Sequence, residues 1–245
     1  MKVLALLCPG QGAQKPGMLT EWLGMPGAVK ALEAFGDASG VDIATHGSTS
    51  DAETIKDTQI TQPLLVASAL LSARGLATSL PEQVVVAGHS VGELAALALA
   101  GVIEDADAMR LVGVRGRAMA EAAAVETTSM AAVLGGVEED VLSRLDELGL
   151  TPANMNGGGQ IVAAGSAAGI AALAAEPPAR ARVIELQVAG AFHTDYMAPA
   201  VDALRDAAAS VAPLDPGPAR LSNADGTAVR SGQDALDRVG AQVSR

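Results

Sequence analysis

The chain has 245 residues, 49% of them hydrophobic but only 2% aromatic, and a net charge of −12. That length allows one large domain with a smaller insert. An acidic chain without a long Lys/Arg run lacks the charge pattern of a nucleic-acid-binding protein. No apolar stretch is long enough for a membrane span, and Pro9-Gly10 ends the first one too early for a signal peptide. We therefore expect a cytoplasmic protein that binds neither nucleic acid nor membrane.

Cys8 is the single cysteine, which excludes an intramolecular disulfide and a cysteine-based zinc site. It ends an apolar run, so we predict a buried, unreactive thiol. With so few aromatic residues, the core has to be built from Ala, Val, Leu and Ile. Together with abundant Gly, that composition favours an α/β fold with close helix–strand packing.

The first part of the chain alternates apolar strands with apolar helices. Val3–Leu7 is a continuous apolar run stopped by Pro9-Gly10, which predicts a buried parallel strand. Pro63 is predicted to open a helix over Leu64–Ala77. Val84–Ala87 predicts a second buried strand, followed by a helix over Glu93–Ala100 that is apolar nearly all round and should be buried. These features predict an α/β core with a parallel sheet.

A second pattern occupies residues 127–189, where the predicted order is β-α-β-β-α-β with short links. This order is typical of a ferredoxin-like unit. We therefore predict a ferredoxin-like subdomain over 127–189, inserted in a core formed by 1–126 and 190–245. Its predicted elements are strands at Ser129–Leu134, Ala153–Asn156, Gln160–Ala164 and Arg182–Val188 and helices at Glu138–Leu148 and Ser166–Ala174.

Gly88-His89-Ser90-Val91-Gly92 matches the pattern G-x-S-x-G. An apolar strand precedes it and a buried helix follows, as a nucleophile elbow requires. Flanking glycines remove the side chains that would collide with the strained turn, and the helix N-terminus favours negative charge at the reacting carbonyl. The alternative is a turn serine that caps the helix.

A serine nucleophile needs a base, and the chain has three histidines, His46, His89 and His193. His89 is adjacent to Ser90, where neighbouring side chains diverge, and His46 is placed in a polar loop. His193 follows a predicted strand, which is where α/β enzymes place working residues. We therefore predict His193 as the base; a packed structural histidine is the alternative.

Arg115 lies in the middle of an apolar helix face. The predicted helix is Asp105–Ala123, and a guanidinium on its buried face is unfavourable unless an anion meets it. That anion is either a structural carboxylate or the carboxylate of a substrate, held in a bidentate pair. The apolar residues of this face are Ala108, Leu111, Val112, Met119 and Ala122.

Combined, these motifs resemble the malonyl-CoA:acyl carrier protein transacylase family. The resemblance covers nearly the whole chain and follows the family order. Its motifs are Cys8-Pro9-Gly10-Gln11-Gly12, Gly88-His89-Ser90-Val91-Gly92-Glu93, Arg115-Gly116, Asn154-Met155-Asn156, Gln160-Ile161-Val162, Gly190-Ala191-Phe192-His193 and Ser222-Asn223.

The resemblance implies a fold and a mechanism. The core would be α/β-hydrolase-like, and Ser90 would take a malonyl group from malonyl-CoA and pass it to the phosphopantetheine thiol of acyl carrier protein, for fatty acid biosynthesis. His193 would accept the proton, and the CoA thioester would be a substrate, with no cofactor and no metal. The remaining roles that it implies are oxyanion donors at Gln11 and Val91, a carboxylate clamp at Arg115, substrate contacts at Asn156 and Phe192, and a carbonyl at Gln242 that orients the histidine.

Several alternatives remain at this level. A polyketide-type acyltransferase or a serine thioesterase or hydrolase would use the same chemistry. The family continues past the Gln242 region, whereas this sequence ends at Arg245, so an inactive fragment is another alternative. Acyl carrier proteins are acidic, so docking would need local basic residues. The candidates are Lys15, Arg74, Arg117, Arg180 and Arg182.

Overall fold

The computed structural model describes residues 2–76, 81 and 83–244, which form two compact units. The first unit runs up to Ala118 and includes Asp202–Gln242, and the second comprises Met119–Val201 and the residues from Val243 onward. The first unit contains a largely parallel sheet and the second an antiparallel sheet. The predicted α/β class with two different sheets is therefore confirmed at this level.

The secondary-structure elements follow in chain order. The strands are β1 (Val3–Cys8), β2 (Gln83–Gly88), β3 (Thr128–Gly135), β4 (Thr151–Gly157), β5 (Gln160–Ser166), β6 (Ala181–Glu185), β7 (Ala219–Leu221) and β8 (Ala228–Val229). The helices are α1 (Ala28–Ser39), α2 (Ile43–Ser48), α3 (Thr58–Leu76), α4 (Gly92–Leu99), α5 (Asp105–Val125), α6 (Glu138–Glu147), α7 (Ala167–Ala175), α8 (Ala198–Ala208) and α9 (Gly232–Ala241). None of the described helices combines the length and the apolar character that a membrane crossing requires.

The sheet of the first unit has the order β1-β2-β7-β8. β1, β2 and β7 are parallel, and β8 pairs antiparallel with β7. The carboxyl ends of the parallel strands therefore lie at one edge of the sheet, where α/β proteins place their ligand sites. β2 ends at this edge with Gly88, two residues before Ser90.

The prediction that Val3–Leu7 is a buried strand is wrong, although the strand and its parallel pairing are correct. β1 is the last strand of the described sheet, and its outward side chains remain exposed, 60% for Val3 and 75% for Leu7. A continuous apolar run does not distinguish a central strand from an edge strand. Cys8 at the end of β1 is buried, as predicted.

The helix predicted over Leu64–Ala77 begins earlier than expected. α3 starts at Thr58, so Pro63 lies inside the helix and not at its first turn. The polar residues Thr58, Thr61 and Gln62, which precede Pro63 in this helix, are all buried. The predicted last residue, Ala77, lies outside the described residues.

The second unit has the predicted element order. The sheet order is β4-β5-β3-β6 with antiparallel pairs, and the predicted strands and helices between 127 and 189 are all present. One sheet face packs with α6 and α7 around an apolar cluster that includes Val133, Leu145 and Ile170. The side chain of Ser166 caps α7 by accepting a hydrogen bond from Gly169 N. The compact unit is wider than the predicted subdomain, because it also takes in residues 119–126 and 190–201.

Candidate active site

The turn that holds Ser90 lies between β2 and α4. Ser90 has φ of 51°, in the left-handed region that side chains other than Gly rarely adopt. Glycine is needed on both sides of it. A Cβ on Gly88 would lie 2.3 Å from the carbonyl carbon of Gly92, and one on Gly92 would lie 2.2 Å from the Cys8 carbonyl oxygen. The predicted strand–turn–helix is therefore present, with its close backbone contacts.

Ser90 is not the capping residue of α4. The N-cap is Val91, and no side chain closes this helix end. The Ser90 hydroxyl instead accepts a hydrogen bond from Arg115, with 3.2 Å between Arg115 Nη2 and Ser90 Oγ. The backbone N–H of Ser90 donates to Asn223 Oδ1 at 2.9 Å. The interpretation of Ser90 as a simple cap is therefore wrong.

The two predicted oxyanion donors lie on segments that touch each other. Gln11 follows β1, and a Cβ on the preceding Gly10 would lie 2.7 Å from His89 Nδ1. Val91 is buried at the start of α4. Gln11 Nε2 reaches Thr58 Oγ1 at 3.5 Å, at the long limit of a hydrogen bond. The Gln11 loop thus packs directly against the turn that carries the serine.

Arg115 is buried on α5, with 1% of its surface exposed. Its Nη1 donates to Gln62 Oε1 at 2.7 Å, and its Nη2 donates to Gln242 Oε1 at 3.2 Å as well as to Ser90 Oγ. All three acceptors are neutral, and Arg115 Nε has no acceptor among the described residues. The structure therefore does not pair this guanidinium directly with a structural carboxylate.

Burial lowers the pKa of Arg115 to about 10, and the charge of Glu93 partly opposes that effect. The side chain thus remains a cation at neutral pH. The apolar face that the helical spacing predicted is confirmed. Its members Ala108, Leu111, Val112, Met119 and Ala122 are all buried.

A buried ion pair lies beside this cation, and the sequence analysis assigned no role to its residues. Glu93, on the first turn of α4, accepts from Arg220 Nη2 at 2.6 Å and from Asn223 N at 2.8 Å through Oε1. Its Oε2 accepts from Gln242 Nε2 at 2.6 Å. Burial raises the pKa of Glu93, and the Arg220 charge and the donated hydrogen bonds oppose the shift. Every one of these partners is a donor, which fits an ionised carboxylate.

The charges of this cluster do not balance. Arg115 and Arg220 contribute two positive charges and Glu93 one negative charge, and all three side chains are at most 1% exposed. One excess positive charge therefore lies in the interior of the first unit, on the residue that touches the Ser90 hydroxyl. A carboxylate brought to Arg115 would neutralise it.

Gln242 follows the last turn of α9 and was predicted to act through its backbone carbonyl. The structure shows that its side chain is also engaged, with Nε2 donating to Ser90 O at 3.3 Å in addition to Glu93. Gln242 is 7% exposed. Of the predicted site residues, Ser90, Arg115 and Gln242 are thus brought into direct contact.

Three predicted site residues belong to the second unit. His193 and Phe192 are both 6% exposed, and His193 has φ of 59°. Among the described residues other than Gly, Ser90, Arg180 and His193 are those with positive φ, so both predicted catalytic residues have unusual backbone geometry. Asn156 is exposed on β4.

The other two histidines have different environments. His46 lies in α2 and not in a loop, and its Nδ1 is 2.9 Å from Ser50 Oγ. His89 is exposed in the turn before Ser90, and the burial of part of its ring lowers its pKa.

Comparison with known proteins gives one consistent result. The sequence matches the acyl transferase domain over residues 5–235. A Mycobacterium tuberculosis protein named malonyl CoA-acyl carrier protein transacylase is 50% identical over 246 residues, which cover 99% of this chain and 82% of the relative. A protein of the same name from Escherichia coli K12 is 36% identical over 214 residues, covering 83% of this chain and 69% of the relative.

Solved structures give the same answer. The crystal structure of MCAT from Mycobacterium tuberculosis has a TM-score of 0.97 and 50% sequence identity, and the match covers 100% of this chain and 82% of the other. An acyl-carrier-protein S-malonyltransferase from Burkholderia pseudomallei has a TM-score of 0.90 at 33% identity, covering 100% of this chain and 81% of the other.

Proposed function

Because this chain belongs to the acyl transferase family, we propose that it moves a malonyl group from malonyl-CoA to the phosphopantetheine thiol of acyl carrier protein, in fatty acid biosynthesis. The family inferred from the sequence motifs is confirmed by the match over residues 5–235 and by the named relatives. We propose that the reaction takes place in the cytoplasm. We also propose that the core of the protein is α/β-hydrolase-like. The CoA thioester is a substrate, and the residues of the site supply the chemistry without a cofactor.

The observation that carries this proposal is the contact between Arg115 and Ser90. A buried cation with neutral acceptors donates to the nucleophile's oxygen, and its cluster has one positive charge in excess. A neutral acyl group would leave that charge uncompensated, whereas the free carboxylate of a malonyl group would compensate it. This favours a dicarboxylic acyl group over a neutral ester or thioester.

The first half-reaction forms an ester on Ser90. Ser90 Oγ attacks the thioester carbonyl of malonyl-CoA, His193 accepts the hydroxyl proton, and the N–H groups of Gln11 and Val91 stabilise the oxyanion. The carbon–sulfur bond then breaks, and the CoA thiol leaves with the proton from His193. Malonyl-Ser90 remains, with its free carboxylate on Arg115.

The second half-reaction reverses these steps with another thiol. The phosphopantetheine thiol of the carrier protein gives its proton to His193 and attacks the Ser90 ester. The carbon–oxygen bond to Ser90 breaks, Ser90 recovers the proton, and malonyl-carrier protein leaves. Each half-reaction exchanges one acyl bond for another, so no oxidant or energy source is consumed.

Phe192, Asn156 and Gln242 complete the proposed site. The ring of Phe192 precedes His193 and restricts space for a 2-methyl branch, so malonyl-CoA is preferred over methylmalonyl-CoA. Asn156 contacts the substrate, and the Gln242 carbonyl orients His193.

The carrier protein docks on basic residues. Of the candidates, Arg74 already forms an ion pair with Asp105 at 2.6 Å, while Lys15 is exposed.

The first test is intact mass spectrometry after incubation with malonyl-CoA. We expect one added malonyl group in the wild-type chain and none in Ser90→Ala. Carrier protein is then added to measure the transfer. It should remove the malonyl group from the enzyme and become malonylated itself.

Arg115→Ala tests the choice of acyl group. We expect the preference for malonyl-CoA over acetyl-CoA to fall, whereas Arg205→Ala, at an exposed arginine paired with Asp202, leaves it unchanged. A folded wild-type protein that forms no malonyl adduct would overturn the proposed activity and leave the fragment alternative. An adduct that water removes faster than carrier protein does would indicate a thioesterase.

A further inference from the structure

The side-chain amide of Gln242 has a defined orientation. Its oxygen end and its NH2 end have similar shapes but opposite hydrogen-bonding roles, so the neighbouring groups determine the orientation of the amide. Nε2 lies 2.6 Å from Glu93 Oε2 and 3.3 Å from the Ser90 carbonyl oxygen, which are both acceptors. Oε1 therefore faces Arg115 Nη2, at 3.2 Å. The reversed amide would place a donor against the guanidinium and an acceptor against the carboxylate.

Glu93 is the group that enforces this orientation. Its Oε1 is occupied by Arg220 and by the backbone N–H of Asn223, which leaves Oε2 to receive Gln242. The contact between carboxylate and amide is short and 1% or less of Glu93 is exposed, so water does not compete for it.

A chain of contacts thus runs from Arg220 through Glu93 and Gln242 to Arg115. We propose that Glu93 and Gln242 are positioning residues that aim the Arg115 guanidinium at the acyl carboxylate, and so determine selectivity for a dicarboxylic acyl group. The inference rests on the proposed function, because it assigns a supporting arrangement to the same clamp. It concerns the Gln242 side chain and is separate from the role proposed for its backbone carbonyl.

The arrangement has a consequence for substrate choice. Arg115 holds Gln62 and Gln242 as neutral acceptors, so its charge stays available for a carboxylate while its direction is fixed. Losing the Gln242 acceptor leaves the guanidinium held by Gln62 and Ser90 Oγ but removes one of the three contacts that fix its direction, which weakens binding of a carboxylate in the reacting geometry. An acyl group without a carboxylate makes no use of this clamp. The effect should therefore appear in the ratio of two donors and not only in the overall rate.

The test compares kcat/KM for malonyl-CoA and acetyl-CoA in Gln242→Met. Met has nearly the length of Gln and keeps the backbone carbonyl, but it lacks the strong acceptor and the donor. We expect the malonyl-to-acetyl ratio to fall about tenfold or more, since hydrogen bonds to a charged group are stronger than neutral ones. The matched control is Gln233→Met, the same change at an exposed position of α9, which should leave the ratio unchanged.

Arg115→Ala separates failure of the inference from failure of the proposed function. If Arg115→Ala lowers the ratio and Gln242→Met does not, the positioning role is wrong while the clamp stands. If neither lowers it, the clamp itself is wrong. Circular dichroism confirms that each variant is folded. Should Gln242→Met not fold, Gln242→Ala takes its place, because it removes the same acceptor and donor without adding a charge; an unchanged ratio there overturns the inference.

Discussion

The interiors of the two units differ in the charged groups that they hold. The central cluster of the second unit consists of apolar side chains on β3, β5, α6 and α7 and of Leu150, and its fully buried members include Leu145, Ile170 and Leu173. The interior of the first unit holds Glu93 and Arg220 as well as the cation Arg115. Packing decides the stability of the apolar parts of both units, whereas hydrogen bonding and charge compensation decide that of the charged cluster in the first unit.

The difference indicates where the chain gives up stability for chemistry. An ion pair taken out of water is often no better for stability than apolar residues of similar volume. We therefore expect the buried charges of the first unit to serve binding or catalysis and not stability. Substitutions in the charged cluster and in the apolar interior test this contrast.

Removing one partner of the buried ion pair should have the largest effect. In Glu93→Leu the buried Arg220 guanidinium loses its anion, and we expect the free energy of unfolding to fall by about 3 to 5 kcal/mol. Urea titration followed by fluorescence of Trp22, the single tryptophan, reports on the first unit. Glu147→Leu, at an exposed carboxylate, is the matched control. The double variant Glu93→Leu with Arg220→Leu should be less destabilised than Glu93→Leu alone; if it is not, the charge imbalance is not the cause.

The apolar interior of the second unit should respond to volume instead. Leu145 is fully buried, and Leu145→Ala should lower the free energy of unfolding by about 3 kcal/mol through lost transfer energy and a cavity. Far-UV circular dichroism during urea titration measures the loss. Leu214→Ala, at a leucine that is 66% exposed, should lose less than about 1 kcal/mol. Equal losses in the two variants would contradict a packed interior at Leu145.

The strained turn at Ser90 should show a smaller effect. Asn223→Ala removes the acceptor of the Ser90 N–H, and we expect a loss of about 1 to 2 kcal/mol in stability. Formation of malonyl-Ser90, followed by quenched-flow mass spectrometry, should slow about tenfold as the turn relaxes. Asn223→Asp keeps the Oδ1 acceptor and should retain more of the stability than Asn223→Ala. A result in the opposite order would mean that this hydrogen bond does not hold the turn.

The fold of both units could be predicted to a large extent from the sequence, because it depends on periodicity and on turn residues. The four strands and two helices of the second unit all occur where their apolar patterns placed them, within a few residues. The errors lie where burial is decided by distant parts of the chain. The exposed side of β1 and the buried polar start of α3 both depend on which elements pack against them.

The candidate site was predicted in part. Ser90 and Arg115 stood out because a G-x-S-x-G turn and a cation on an apolar helix face violate the local pattern around them. Glu93 and Arg220 are 127 residues apart, and each one alone resembles an ordinary surface charge. Their pairing follows from the alignment of β7 beside β2, which no short-range pattern encodes. The selection of Gln242 rested on family resemblance, and the contacts of its side chain required the structure.

Cys8 differs from the charged residues of the first unit, because it is a buried ionisable group whose pKa is shifted by burial and not by a neighbouring charge. Burial raises the pKa of its thiol from the ordinary value of 9.0 to about 11. A raised pKa in the folded state means that the stability from burying the neutral thiol is present below pH 9 and is lost as the pH rises towards 11. Between pH 8 and pH 10 we expect the wild-type chain to lose about 1 kcal/mol more stability than Cys8→Ala, measured by urea titration at each pH. Comparison with the alanine variant isolates the contribution of the thiol. Parallel pH curves for the two proteins would contradict the raised pKa and would show that the thiol at the end of β1 reaches solvent.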